Sequence, residues 1–219
     1  MFGRAKLPGM SSVSLQASLF ALDYPSLDAG FATIERVWLD EHSWIDHQRG
    51  WLRGADLVFG ELVARLAWRQ REVTMYDQRV REPRLTDWWS VADGRAEPLP
   101  VLTDARAALS RHYARRFDTI GFNLYRNGRD SVAWHADRER YLHEDPVVAI
   151  VSVGMPRAFQ MRPRAGGPRR EWRVGRGDLL VMGGSCQHDW EHRVPKDASA
   201  PGPRLSIMFR HDQADVAAP

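Results

Sequence analysis

Cysteine occurs once in the 219 residues, at Cys186. A lone thiol closes no intramolecular disulfide, which excludes the stapled scaffolds of small secreted proteins. No early apolar segment has the length or flanks of a signal peptide or a membrane span. The expected compartment is therefore a reducing cytoplasm, with no membrane partner. Repeats and long low-complexity tracts are missing too. So are a Walker-type phosphate loop and a dinucleotide fingerprint, since GRGD at 175–178 is only a turn. Nothing forms a Ser-His-Asp or Cys-His set, and Cys186 in GGSCQHDW reads as a small buried filler.

What is present suffices for one domain. With 43% hydrophobic and 27% charged residues, the chain is long enough to bury a proper core. The net charge is +3, and arginines bunch in REPR (81–84) and RPRAGGPRREWRVGR (162–176). That permits a polyanionic partner and no more, because a basic globular protein usually has only a solvated basic face. MFGRAKLPGMSSVSL lacks a sustained pattern, so residues 1–15 read as a loose arm. FATIERVWL (31–39) reads as a strand and DLVFGELVARLAW (56–68) as an amphipathic helix. Residues 70–100, polar and rich in Trp and Pro, read as an extended loop or hairpin region. A second helix fits VLTDARAALSRHYARRF (101–117), with Thr103 as its N-cap. After it come about eight short strands, from TIGFNLYR to RLSIMFR, punctuated by turns. Helices followed by strands, without βαβ alternation, predict a mainly β chain with flanking helices: a sandwich or jelly roll carrying helices on one side.

Chemistry concentrates in NLYRNGRDSVAWHADRER (123–140). A strand sends alternate side chains to opposite faces, so Asn123 and Tyr125 share a face, as do His135 and Asp137. An imidazole and a carboxylate two residues apart can grip one ion. A lone pair of this kind is more often a surface hydrogen bond. With one more imidazole it becomes the 2-His-1-carboxylate triad suited to non-haem Fe(II). His192 in QHDWEHRVP is the best third ligand, and His188 competes. RLSIMFR puts Arg204, Ser206, Met208 and Arg210 on one face and Leu205, Ile207 and Phe209 on the other. Arginines on the inner side of a buried strand are costly unless anions meet them, and a guanidinium fork suits carboxylate. An acid with a carboxylate at each end satisfies both.

N-L-Y, W-H-A-D-R-E, H-R-V-P and R-L-S-I-M-F-R, in this order and at these separations, resemble the AlkB family of Fe(II)- and 2-oxoglutarate-dependent dioxygenases. The likeness covers roughly residues 50 to 211, and QREVTMYDQRVREPRLTDWW resembles the stretch before the catalytic core in the DNA-repair members. The resemblance implies a double-stranded β-helix core over 101–213, joined in one structural domain to an extension and nucleotide-recognition lid over 16–100. It implies His135, Asp137 and His192 as iron ligands. Arg204 and Arg210 would hold 2-oxoglutarate, helped by Asn123 and Tyr125, with Ser206 standing where bacterial AlkB has an amide.

The implied reaction consumes 2-oxoglutarate and O2 to demethylate 1-methyladenine or 3-methylcytosine in DNA, or in RNA, with loss of formaldehyde. A base must leave the duplex to reach such a metal, so the expected partner is single-stranded or flipped-base DNA, met by a monomeric protein. Trp88 or Trp89 would stack on the base, and Glu139 would meet its exocyclic amine. Arg126, Arg129, Arg138 and Arg140 surround the same stretch and would meet phosphates. The rival readings are a 2-oxoglutarate-dependent hydroxylase of a protein or small molecule, and a non-catalytic nucleic-acid-binding jelly roll.

Overall fold

The computed structural model describes residues 24–75, 78–137, 143–200 and 202–211. The arm at 1–15 and the residues Arg138, Glu139 and Arg140 lie outside them. Before the second helix come β1 (Ser26–Leu27), β2 (Glu35–Trp38), β3 (Ser43–Gln48), β4 (Leu52–Arg53), α1 (Ala55–Arg65), β5 (Glu72–Met75), β6 (Gln78–Arg81) and β7 (Leu85–Ser90). Then follow α2 (Pro100–Tyr113), β8 (Thr119–Tyr125), β9 (Val132–His135), β10 (Val148–Gly154), β11 (Arg157–Pro163) and β12 (Arg170–Val174). β13 (Asp178–Gly184), α3 (Cys186–Asp189), β14 (Trp190–Val194) and β15 (Arg204–Arg210) complete the order.

Two antiparallel sheets face each other, as a jelly roll requires. The larger runs β2-β3-β13-β10-β15-β8-β7 and the smaller β12-β11-β14-β9. Strand alternation gives the larger sheet two apolar faces. Phe122, Leu124, Val151, Leu205, Ile207 and Phe209 point outward against Val58, Phe59 and Leu62 of α1 and Leu102, Ala105 and Leu109 of α2. Ile150, Leu180, Met182 and Met208 point inward against Phe159, Met161 and Val194 of the smaller sheet. Each such side chain, fully buried, contributes about 1.5–3 kcal/mol. The helices thus cover one side, leaving the mouth between the sheets for chemistry. β2, β3 and β7, all from before residue 100, belong to the same sheet as the later strands.

Five local expectations are corrected. The strand expected over 31–39 shrinks to Glu35–Trp38, because Phe31 takes φ 52° and turns its buried ring onto His112, with centroids 3.9 Å apart. The helix expected over 56–68 ends at Arg65, where Leu66 becomes extended. Thr103 is not an N-cap: α2 starts at Pro100, whose fixed φ suits a first turn, after the extended Leu99. That helix stops at Tyr113 because Ala114 is left-handed, which lets Phe117 turn into the core. Within residues 70–100 the hairpin β5–β6 forms, but LTDWWS is a strand of the larger sheet, paired with β8.

Candidate active site

β9 and β14 pair antiparallel with His135 directly opposite His192, and the register shifts by a bulge before Val132 meets Val194. Across that pairing the two imidazoles lie with centroids 4.2 Å apart. Asp137 follows two residues past His135 and turns in beneath them. Its Oδ1 is 3.8 Å from His135 Nε2, and its Oδ2 is 3.8 Å from His192 Nε2. One ligand atom from each of the three residues lies within 4.8 Å of the others. Neighbours fix the orientations. His135 Nδ1 sits 2.9 Å from the Ala133 carbonyl, so a proton there leaves Nε2 as the acceptor, the tautomer a metal needs. The Asp137 N–H donates to Gln187 Oε1 at 2.8 Å. Phe159 stacks on His192 with centroids 5.4 Å apart. Arg157, fully buried, donates to the carbonyls of Asn127, Asp130 and Pro195, tying together the loops that lead into β9 and out of β14.

Electrostatics suit a cation. Burial raises the Asp137 carboxyl, but Arg210 and the two imidazoles outweigh it and hold it below the ordinary carboxylate range. Burial, then His135, pushes His192 down to about 3, so its imidazole is neutral, the ligating form. Asp137 Oδ2 is buried and accepts no hydrogen bond from the described residues. A buried carboxylate oxygen aimed at a neutral imidazole nitrogen is the donor set that a divalent iron fits.

The larger sheet faces this cluster with polar side chains from β8 and β15. Arg204 pairs across with Tyr125 and Ser206 with Asn123. Arg210 Nη2 donates to Asp137 Oδ1 at 2.8 Å, placing one guanidinium beside the cluster. Arg204 is 0% exposed and lies deeper, its guanidinium 5.4 Å from the Tyr125 ring centre. Its Nη2 donates to Ser152 Oγ at 2.8 Å, while Nε and Nη1 find no hydrogen-bond partner among the described residues. Burial pushes this guanidinium down to about 10. An elongated dicarboxylate fits the pair, one end near Arg210 and the other on the open nitrogens of Arg204.

A cavity of about 530 Å³ opens beside the cluster. His135, Asp137, Asn123, Met208, Arg210 and Trp88 are among its walls. Trp88 projects into it, over Gly121, where any Cβ would meet the indole Cζ3 at 2.8 Å. Trp89 faces the opposite way into the outer core, 5% exposed, with its indole N–H on the Arg95 carbonyl at 3.0 Å. Adjacent strand residues must diverge in this way, so Trp89 is withdrawn as a base-stacking candidate. His188 is withdrawn as a rival ligand: it sits in α3 with Nε2 3.1 Å from the Glu144 carbonyl. Arg126 is held on both oxygens of Asp130. Cys186 is buried and burial raises its thiol to about 12, in keeping with a filler. Sequence reasoning missed Gln187, Glu82 and Arg84. The last two share the alternation of Thr86 and Trp88 along one wall, a signal hidden while the stretch read as loop.

A jelly roll with a His-Asp-His cluster in its mouth defines a non-haem oxygenase scaffold. Comparison with known proteins gives the particular family. A family model described as the 2OG-Fe(II) oxygenase superfamily matches residues 67–210. The alpha-ketoglutarate-dependent dioxygenase alkB homolog 3 of Bos taurus is 35% identical over 177 residues, covering 73% of this chain and 62% of its own. The DNA oxidative demethylase ALKBH2 of Arabidopsis thaliana is 33% identical over 118 residues, covering 43% of this chain and 38% of its own. Among solved structures, OsALKBH1 superposes with a TM-score of 0.53 at 15% identity, over 81% of this chain and 100% of its own. That likeness is one of fold. The chain belongs to the 2OG-Fe(II) oxygenase superfamily and, within it, is similar to the AlkB homologues. Its cofactors are accordingly Fe(II), 2-oxoglutarate and O2. It spans 62% of the length of the alkB homolog 3 proteins it matches.

Proposed function

We propose that this chain oxidatively demethylates N-alkylated nucleobases of the 1-methyladenine and 3-methylcytosine type in nucleic acid, releasing formaldehyde. One observation carries the reading: a single cavity is walled by the His135–Asp137 pair, Arg210 and the indole of Trp88. In this reading His135, Asp137 and His192 hold the iron. With 2-oxoglutarate and O2, that iron supplies an oxidant for the methyl group. Arg210 takes the carboxylate of 2-oxoglutarate nearer the cluster, and Arg204 with Tyr125 takes the far one. Asn123 and Ser206 line the path between them. Trp88 offers its face to the extruded base, so that the methyl group points at the cluster and water is kept out. The segment 16–100 supplies this lid and 101–213 the catalytic core. Glu139, assigned to the base's amine, lies outside the described residues. The partner is single-stranded or flipped-base DNA, met by a monomer in the cytoplasm. Among the described residues no helix is long and apolar enough to cross a membrane.

The test is turnover. Protein with Fe(II), 2-oxoglutarate, ascorbate and O2 is expected to demethylate 1-methyladenine or 3-methylcytosine in an oligonucleotide, with one formaldehyde per base. Single strands should be preferred, since extrusion from a duplex costs a few kcal/mol. His192→Ala should abolish turnover and His188→Ala should retain it. Consumption of 2-oxoglutarate with every methylated DNA and RNA left untouched would favour a hydroxylase of a protein or small molecule instead.

A further inference from the structure

The cavity wall contains an acid that none of the roles above uses. Glu82 lies between the hairpin β5–β6 and β7, with its side chain 17% exposed. Its Oε1 accepts from Arg84 Nη2 at 3.1 Å. Its Oε2 is buried and accepts no hydrogen bond from the described residues. A buried carboxylate oxygen left this way is costly unless a donor arrives.

The position is built rather than accidental. The Glu82 N–H donates to the Arg71 carbonyl at 2.8 Å, and its own carbonyl accepts from Gln70 Nε2 at 2.9 Å and from the Arg84 N–H at 2.8 Å. Arg84 Nε reaches Asn123 Oδ1 at 3.3 Å, so the pair is anchored to β8 as well. Glu82, Arg84, Thr86 and Trp88, two residues apart in turn, all wall the same cavity as His135. Glu82, Arg84 and His135 also wall a neighbouring groove of about 630 Å³ that runs past Trp134 and Arg193 to Lys196. The acid therefore stands at the boundary between the proposed base pocket and an open channel beside it.

Adenine methylated at N1 and cytosine methylated at N3 are cations whose charge spreads onto an exocyclic amine. Thymine methylated at N3 is neutral and shows carbonyl oxygens on the same edge. A carboxylate beside the flipped base attracts the first kind and repels the second. Resting on the demethylase reading, we propose that Glu82 is a specificity-determining residue: Oε2 accepts one hydrogen of the exocyclic amine of a cationic methylated base, the other being left to Glu139, while Oε1 stays on Arg84. Arg84 holds the acid aimed at the cavity, and its own anchor on Asn123 ties lesion choice to the strand that faces the cluster.

The experiment compares wild type with Glu82→Gln on matched oligonucleotides carrying 3-methylcytosine or 3-methylthymine. A charge-assisted hydrogen bond lost from a buried site lowers the ratio of kcat/KM for the two substrates by about ten- to a hundredfold. Fluorescence anisotropy on the metal-free protein should show the same loss of preference in binding, independent of turnover. Glu82→Asp, which keeps the charge but withdraws it, carries the same expectation if the glutamine variant does not fold. An equal fall on both substrates would make Glu82 merely a support for Arg84 and would overturn the proposal. So would a wild type that binds both lesions alike. Failure of the wild type to demethylate any oligonucleotide would end the demethylase reading itself, and this one with it; turnover with an unchanged ratio ends only this one.

Discussion

Replacing Arg204 by Met separates a residue kept for the fold from one kept for a ligand. The side chain is 0% exposed, and two of its three nitrogens have no hydrogen-bond partner among the described residues. Burial holds the guanidinium at about 10 against an ordinary 12.5, a gap worth about 3 kcal/mol of destabilisation wherever the group is charged in both states. A base whose folded pKa lies below its unfolded one carries this penalty in full below pH 10 and sheds it only as pH rises further. At neutral pH, therefore, Arg204→Met removes a liability, minus the bond to Ser152 and the contact with the Tyr125 ring. The ligand-free variant should be as stable as wild type or more so, by up to about 3 kcal/mol. Urea denaturation of the Mn(II)-loaded protein, with and without 2-oxoglutarate, is the assay. At a hundred times Kd the wild type should gain about 2.7 kcal/mol from the co-substrate, and the variant should gain almost none. Loss of several kcal/mol in the ligand-free variant would mean that the fold already satisfies Arg204. An undiminished response to 2-oxoglutarate would show that its carboxylates are held elsewhere.

The two neighbouring tryptophans should behave oppositely. Trp89→Ala should destabilise by about 3–5 kcal/mol in urea, whereas Trp88→Ala should leave stability nearly intact. The Trp88 variant should instead weaken binding of a methylated oligonucleotide by about 1–3 kcal/mol; equal stability losses would contradict the assignment of faces. Cys186, with its thiol raised to about 12, stays protonated at pH 8. Iodoacetamide should label it only in denaturant, and rapid labelling of the native protein would show that the interior opens there.

The stretches most legible in advance were those whose side chains alternate. In RLSIMFR the apolar residues had to face a core, which put both arginines on the other side; the structure has Leu205, Ile207 and Phe209 in the outer core and Arg204 and Arg210 facing inward. LTDWWS was illegible because its two tryptophans and its Asp hid the same alternation within polar text. Once it pairs with β8, Trp88 falls opposite Gly121 and Trp89 opposite Ile120, and their fates separate. The end of α2 was missed because a helical pattern does not announce a left-handed residue such as Ala114.

By itself the sequence determined which side chains share a face, since that follows from the two-residue period of a strand and needs no partner. It placed His135 with Asp137 and Arg204 with Arg210, and it denied the chain a disulfide framework. Which faces meet was decided only in three dimensions. His135 and His192, 57 positions apart, became neighbours through the pairing of β9 with β14. Arg84, and with it Glu82, was brought to Asn123 through the docking of β7 on β8. Periodicity is a property of one backbone segment, whereas pairing depends on the closure of long loops and on the burial of both sheets at once. The same closure set Asp137 Oδ2 and two nitrogens of Arg204 in the interior without hydrogen-bond partners among the described residues. No local pattern in the chain encodes that.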